Sequence, residues 1–380
     1  MRSLVNKTVV RAALICVGLA SIVGCSEAEQ PIEAESQKQQ LGSDTFVDEY
    51  GWTWHKIATL DSYYDDLDGE EPSEEEAQAM PTIGEMTIEE IAYEYRPIME
   101  FNYDVYELSE EDAYEMATQM KEAYEAGISP APADFPLQGE ALSESGEATA
   151  SQEMVLGSDD RSTPQSDTWP EMMNAGTDDD GGRCTAFKMI NHHTAITAAH
   201  CVYTPDVGWE TREDWWFSAD DAFTEPLDPG CYSRVVPGGW TRRNHVKFDF
   251  AILRFHGNGE WCNFADYNTG FYGYAGVDDE DTHQVSGYPA SALGGTYPEY
   301  ALDRDEAWTN WAYPNRVLHR IDTTGGQSGA AILRGDNGWD DYVHAVGIHK
   351  GSTYTPFSRK NHGKRFDGGL ISWFRSWSGS

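Results

Sequence analysis

The chain has 380 residues and carries 65 acidic against 26 basic side chains, for a net charge of −39. A surface of that sign repels phosphate backbones, and no basic stripe interrupts it, so nucleic acid is excluded as a partner. The charge is uneven: residues 1–25, 26–154 and 155–380 carry net charges of roughly +3, −30 and −12, which divides the chain into three parts before any motif is considered.

The first part, 1–25, reads as an export signal. Arg2, Lys7 and Arg11 precede the apolar run Ala12–Ala20, which is short for a bilayer span. It ends in Ile22-Val23-Gly24-Cys25. That ending reads either as a lipobox, with Cys25 lipidated and the protein anchored to a membrane, or as ordinary signal cleavage near Ala28. An exported location follows in both cases. The second part, 26–154, reads as an acidic pro-region and linker. Residues 26–50 are polar, whereas from Tyr50 to Gly127 the residues Trp52, Trp54, Ile57, Leu60, Ile88, Ile91, Ile98 and Met99 supply apolar surface. Ser109 followed by Glu110, Glu111 and Asp112 marks a helix start, and Ala113, Met116, Ala117 and Met120 recur at helical spacing. From Ser129 to Gln152 the composition is Pro, Ala, Ser, Gly and Glu without period, as in a linker.

The third part, 155–380, is β-rich. The runs Thr194–Thr197, Phe250–Phe255, Gly329–Leu333 and Val343–Ile348 are short and bounded by Gly, Pro, Asn or Asp, which predicts antiparallel barrels. Four cysteines lie here, Cys184, Cys201, Cys231 and Cys262; an even number in an exported chain reads as two disulfides, with three pairings open. No Cys-x-x-Cys pair or EF-hand spacing appears, so the sequence predicts no metal and no cofactor. The runs Asp178–Gly181 and Asp278–Asp281 read as solvated turns, and Trp215, Trp216, Trp308 and Trp311 as barrel filling.

Within this part the sequence places Thr197-Ala198-Ala199-His200-Cys201, then Asp249-Phe250-Ala251-Ile252-Leu253, then Gly325-Gly326-Gln327-Ser328-Gly329. A serine hydroxyl is a poor nucleophile until an imidazole takes its proton, and the imidazole needs a buried carboxylate to fix its tautomer. His200, Asp249 and Ser328 supply these parts in the order His, Asp, Ser, which differs from the other known chain orders of such triads. Gly326 and Ser328 are the expected oxyanion donors through their N–H groups, Gly326 because it lacks a Cβ.

Four motifs carry a resemblance. Val155-Leu156-Gly157-Ser158-Asp159-Asp160-Arg161, the stretch from Cys184-Thr185-Ala186-Phe187 to His200-Cys201, Asp322-Thr323-Thr324-Gly325-Gly326-Gln327-Ser328-Gly329, and Val346-Gly347-Ile348-His349 together resemble the chymotrypsin-fold serine endopeptidases, in particular the glutamyl endopeptidase (V8 protease-like) branch. The resemblance implies an all-β fold of two antiparallel β-barrels over 155–380, preceded by the acidic, partly helical pro-region. It implies a Cys184–Cys201 disulfide, which leaves Cys231 for Cys262. It further implies a monomeric enzyme acting on peptide or protein substrates, with Thr323 and His349 contacting the carboxylate of a P1 glutamate and the freed N-terminus at Val155 lying nearby. Trypsin has an aspartate just before its serine; Gln327 stands here, and the branch is likewise neutral at that position. Lys350 departs from the branch; it either adds positive charge to the pocket or points to solvent, and the second is expected. His192, His193, His245, His256, His283, His319, His344 and His362 read as structural or surface residues. The other reading of the chain is a surface lipoprotein whose protease-like domain is a weakly catalytic binding module.

Overall fold

The computed structural model describes residues 44–48, 50–63, 81–126, 172–176, 183–188, 194–204, 208–209, 215–219, 222–226, 232–256, 272–273, 282–287, 301–310, 313–334, 344–354 and 359–377. Cys25, Val155, Cys231, Cys262, both Asp-rich runs and the linker predicted over 129–152 lie outside them. Residues 40–380 form one compact unit.

The strands are, in chain order, β1 (Thr45–Val47), β2 (Thr53–Thr59), β3 (Pro97–Phe101), β4 (Asp104–Leu108), β5 (Met172–Gly176), β6 (Arg183–Lys188), β7 (Thr194–Thr197), β8 (Tyr203–Thr204), β9 (Gly208–Trp209), β10 (Trp215–Ala219), β11 (Ala222–Pro226), β12 (Tyr232–Pro237), β13 (Ala251–Phe255), β14 (Tyr272–Gly273), β15 (Thr282–Gly287), β16 (Ala301–Asn310), β17 (Tyr313–His319), β18 (Ala331–Arg334), β19 (His344–Tyr354) and β20 (Arg359–Arg365). The helices used below are α1 (Leu60–Tyr63), α2 (Ile88–Glu94), α3 (Glu110–Glu125), α4 (Gly238–Arg243) and α5 (Gly368–Arg375).

Among the described residues strands predominate over helices, as the all-β expectation has it, and most of them belong to two large sheets. In the second sheet, β20 pairs with β17 on one side and with β19 on the other, so that β19, β18, β15, β16, β17 and β20 close into a ring. Closure removes the open edges that a flat sheet of this size would expose. Val285, Val317, Ile321, Ala330, Ile332 and Val346 fill it. The first sheet runs β1-β2-β4-β3-β12-β13-β7-β6-β5-β10-β11. Its first four strands come from the acidic segment. β3 pairs antiparallel with β12, in a register that sets Glu100 opposite Arg234 and Met99 opposite Val235.

Helix α3 starts where the sequence places it. Ser109 caps it by accepting from the Asp112 N–H, and Ala113, Met116, Ala117 and Met120 are the buried positions. It packs on α5, whose Gly368 and Gly369 admit the contact: a Cβ on Gly368 would lie 2.5 Å from the Ala123 carbonyl oxygen. Trp54, Trp373 and Trp377 are fully buried beside this helix pair. The Trp52 indole N–H donates to the Ser376 carbonyl, and that of Trp373 to the Tyr95 carbonyl, both at 3.0 Å. The apolar residues expected at Trp52 and Trp54 therefore belong to the same core as the C-terminal helix.

Lys247 is buried at this junction, donating to the Pro81 carbonyl and to the Met86 sulfur. Burial, then the nearby Lys364 charge, lower its pKa to about 7 against the opposing pull of Asp367, Glu94 and Glu85. A lysine in the unfolded chain keeps its proton up to about pH 10, so between pH 7 and 10 the unfolded state binds more protons and stability rises with pH. Each pH unit in that window contributes about 1.4 kcal/mol. The gain in melting temperature from pH 7 to pH 9 should accordingly be smaller in Lys247→Met than in the parent protein; an equal gain would show that Lys247 does not titrate abnormally.

Candidate active site

The site lies where the two sheets meet. His200 sits in a single 3-10 turn, Ala199–Cys201, directly after β7. The Cys184–Cys201 disulfide, with its Cα atoms 5.9 Å apart, ties the next residue back to β6. Thr185, beside Cys184, reaches across to the serine loop. Its N–H donates to the Ser328 carbonyl at 2.7 Å and its hydroxyl to the Gly326 carbonyl at 2.9 Å. One covalent bond thus couples the histidine turn to the strand that braces the serine loop.

That loop is a tight turn. Gln327 N–H donates to the Thr324 carbonyl, and the Gln327 side-chain oxygen accepts from the Thr324 N–H at 2.9 Å. Gln327, neutral where trypsin is acidic, is therefore used to close its own turn. Gly326 has φ +101° and Gly329 φ +86°, conformations that favour glycine. A Cβ on Gly329 would also lie 2.1 Å from the Thr185 carbonyl oxygen, so no larger residue fits there without rebuilding the loop. The bonds to the Gly326 and Ser328 carbonyls, with that of Gly329 N–H to His349 O at 2.8 Å, fix the peptide units around the two expected oxyanion donors.

Asp249 is almost wholly buried and is engaged through both oxygens. Oδ1 accepts from the His200 main-chain N–H at 3.0 Å, while the His200 Nδ1 lies 3.0 Å from Oδ1 and 2.9 Å from Oδ2. The Lys350 Nζ lies 3.0 Å from Oδ2. Burial alone would raise the carboxyl pKa, but His200, then Lys350 and the hydrogen bonds from His200, outweigh it and hold the group far below the usual carboxylate range. The expectation that Lys350 points to solvent is corrected here: the side chain is only 23% exposed and turns inward to this buried anion. The same residue meets the expected nucleophile, since Ser328 Oγ donates to the Lys350 carbonyl at 2.8 Å.

His349 and Thr323, the expected P1 contacts, are both fully buried. His349 Nδ1 lies 3.1 Å from His319 Nε2, so the buried His319, read from the sequence as structural or surface, packs behind one of the expected P1 contacts. No local motif marks His319; its partner lies thirty residues away on another strand. Burial, reinforced by the His200 charge, lowers the His349 pKa to about 3, so the ring is neutral at physiological pH. Burial likewise lowers that of His319, with the neighbouring His349 and His283 adding to the effect. The Thr323 hydroxyl oxygen is buried and has no hydrogen-bond partner among the described residues.

No family model matches the chain. It is 24% identical over 240 residues to a glutamyl endopeptidase of Bacillus licheniformis, covering 60% of this chain and 69% of that protein. The chain resembles the glutamyl endopeptidase branch of chymotrypsin-fold serine proteases. It is also 25% identical over 178 residues to an extracellular metalloprotease of Bacillus subtilis, covering 45% of this chain and spanning about half, 52%, of that protein. Solved structures similar to it include a Glu endopeptidase in complex with MPD, with TM-score 0.45 and 19% identity over 60% of this chain and all of that one. A thermostable serine protease, AL20, from an extremophilic microorganism has TM-score 0.42 and 18% identity, over 55% of this chain and 95% of that one. Among the described residues, Cys184, His200 and Cys201 group as possible metal ligands, but the two sulfurs are bonded to each other and only the imidazole remains. No helix among the described residues is long and apolar enough to cross a membrane.

A carboxylate with a depressed pKa stabilises the fold above about pH 4 and loses that contribution as the pH falls towards its folded value. Lys350→Met should therefore cost about 1–2 kcal/mol at pH 7 and move acid unfolding to higher pH. An unchanged acid-unfolding midpoint would detach Lys350 from Asp249.

Proposed function

We propose that the chain is an exported serine endopeptidase that cleaves after glutamate, and less well after aspartate. Ser328 Oγ attacks the scissile carbonyl while His200 Nε2 takes its proton, and Asp249 holds the Nδ1–H tautomer and balances the imidazolium. The N–H groups of Gly326 and Ser328 receive the oxyanion. His200 then returns the proton to the leaving amine, and water hydrolyses the acyl-serine by the same route in reverse. The observation that carries this reading is the fully satisfied, buried Asp249 locked onto His200, with Lys350 bonded at once to that carboxylate and to Ser328.

Support for an acidic P1 residue comes from the Thr323 hydroxyl. A buried donor with no partner costs about 1–3 kcal/mol until something accepts from it, and a bound carboxylate would do so. We assign the proton of the His319 Nε2–His349 Nδ1 contact to His319, an assignment that gives His349 its own proton on Nε2 as a second donor. Because His349 stays neutral, the pocket needs its positive charge from elsewhere. A free α-amino group has a reference pKa near ~8, and we assign that charge to Val155 once the chain is cut beside it. Cleavage at Met154–Val155 would provide it, and a cut after Glu153 would suit self-processing.

A fluorophosphonate probe should label the purified protein at Ser328 and should not label Ser328→Ala; labelling that survives the substitution overturns the nucleophile assignment. Asp249→Asn should lower kcat by about 10³–10⁴-fold, since an amide opposite Nδ1 favours the wrong tautomer. Thr323→Val should cut kcat/KM on Glu peptides about 10–100-fold, the worth of one hydrogen bond to a charge. It should hardly change the labelling rate. A peptide library cut mainly after Arg, Lys or Phe would reject the pocket.

A further inference from the structure

The acidic segment is continuous with the catalytic barrels, and this continuity decides its fate once the chain is cut near Val155. We infer that residues 44–126 stay bound after such a cut as a permanent, non-covalently held light chain of the enzyme. The cut itself belongs to the function proposed above; the retention does not.

Strand β3 is interior to the first sheet, paired with β4 on one side and β12 on the other. At its centre Arg234 Nε lies 3.1 Å from Glu100 Oε2, with both side chains fully buried. A second ion pair crosses the same boundary, Arg254 to Asp48 at 2.7 Å, with the two side chains 2% and 5% exposed. Asp48 also accepts from the Trp54 indole N–H and from the main-chain N–H groups of Tyr50 and Trp52. Loss of the segment would strip two buried guanidinium groups of these carboxylates and open the edge of β12, where removal of one partner of a buried pair is strongly destabilising. Apolar contacts add to this barrier through Trp54 against Trp377 and through α3 against α5.

The segment also reaches the chemistry. Tyr95, fully buried, packs with ring centroids 5.2 Å from Phe248 and 6.2 Å from Phe250, the two neighbours of Asp249 in the chain. Phe250 in turn meets Trp373 at 5.1 Å. The loop that presents the catalytic carboxylate is thus clamped by an aromatic from the light chain. A releasable inhibitor would have no reason to supply that support.

The test uses the full chain as Ser328→Ala, with the recognition sequence of a site-specific protease inserted between residues 139 and 146. After cutting, both fragments should elute together at the volume of uncut protein under native conditions and separate only in denaturant. Independent elution of the N-terminal fragment, with the remainder still folded, would overturn the inference. In the active chain the same cut should leave fluorophosphonate labelling within about twofold, whereas a chain made from Val155 onward should give no soluble, labelled protein unless refolded with residues 26–154. A soluble Val155 chain labelled as fast as the full one would also overturn it. If the uncut chain does not label, the peptidase reading fails, and co-elution in the Ser328→Ala protein still decides retention.

Discussion

The burial of one negative charge organises this molecule. A carboxylate in the interior is tolerable only where opposite charge and hydrogen-bond donors surround it, and Asp249 has the His200 imidazole and main-chain N–H together with the Lys350 ammonium. Asp249 itself stands in the loop before β13, and its partners come from the 3-10 turn after β7 and from β19, so the anion cannot be satisfied until strands of both sheets are in place. Its sequence neighbours have the opposite character. Phe248 and Phe250 are fully buried and sit in an aromatic layer with Tyr95 and Trp373. The charge is held by polar groups on one side and fixed in position by packing on the other.

A second linkage joins the halves of the site across the barrel boundary. Thr185 makes two hydrogen bonds to the serine loop while its neighbour Cys184 is bonded to Cys201, the residue after His200. The close packing of Gly329 on the Thr185 carbonyl shows why the loop has no room for a side chain at that point. Catalytic geometry of this kind depends on supporting groups that are themselves fixed, since small misplacements of reacting groups are costly in rate.

Much of the site was legible because its signals are local. The histidine turn, the glycine-flanked serine and the period of α3 each occupy a few consecutive residues, and Ala113, Met116, Ala117 and Met120 are buried as their spacing implies. What could not be read is what depends on distant partners. Glu100 and Asp48 look like members of an acidic tract, yet each faces an arginine more than a hundred residues away. Lys350 beside His349 resembles an ordinary surface lysine until Asp249 is placed next to it. His319 gains its role only when β17 and β19 bring two imidazoles within 3.1 Å. Charge composition described the segment correctly as acidic but gave no indication that its strands continue a sheet.

The placement of β3 also sets an order of events during folding. Residues 97–101 are synthesised long before 232–237, their partners in β12, so the segment must wait with a strand edge and its two tryptophans, Trp52 and Trp54, unsatisfied. Pairings so distant in sequence form slowly, and an exposed edge is prone to join other chains in the meantime. The surplus of carboxylates around that strand offers a remedy, because like charges keep waiting copies apart. The acidity that sets this segment apart in the sequence therefore serves the chain before it is folded.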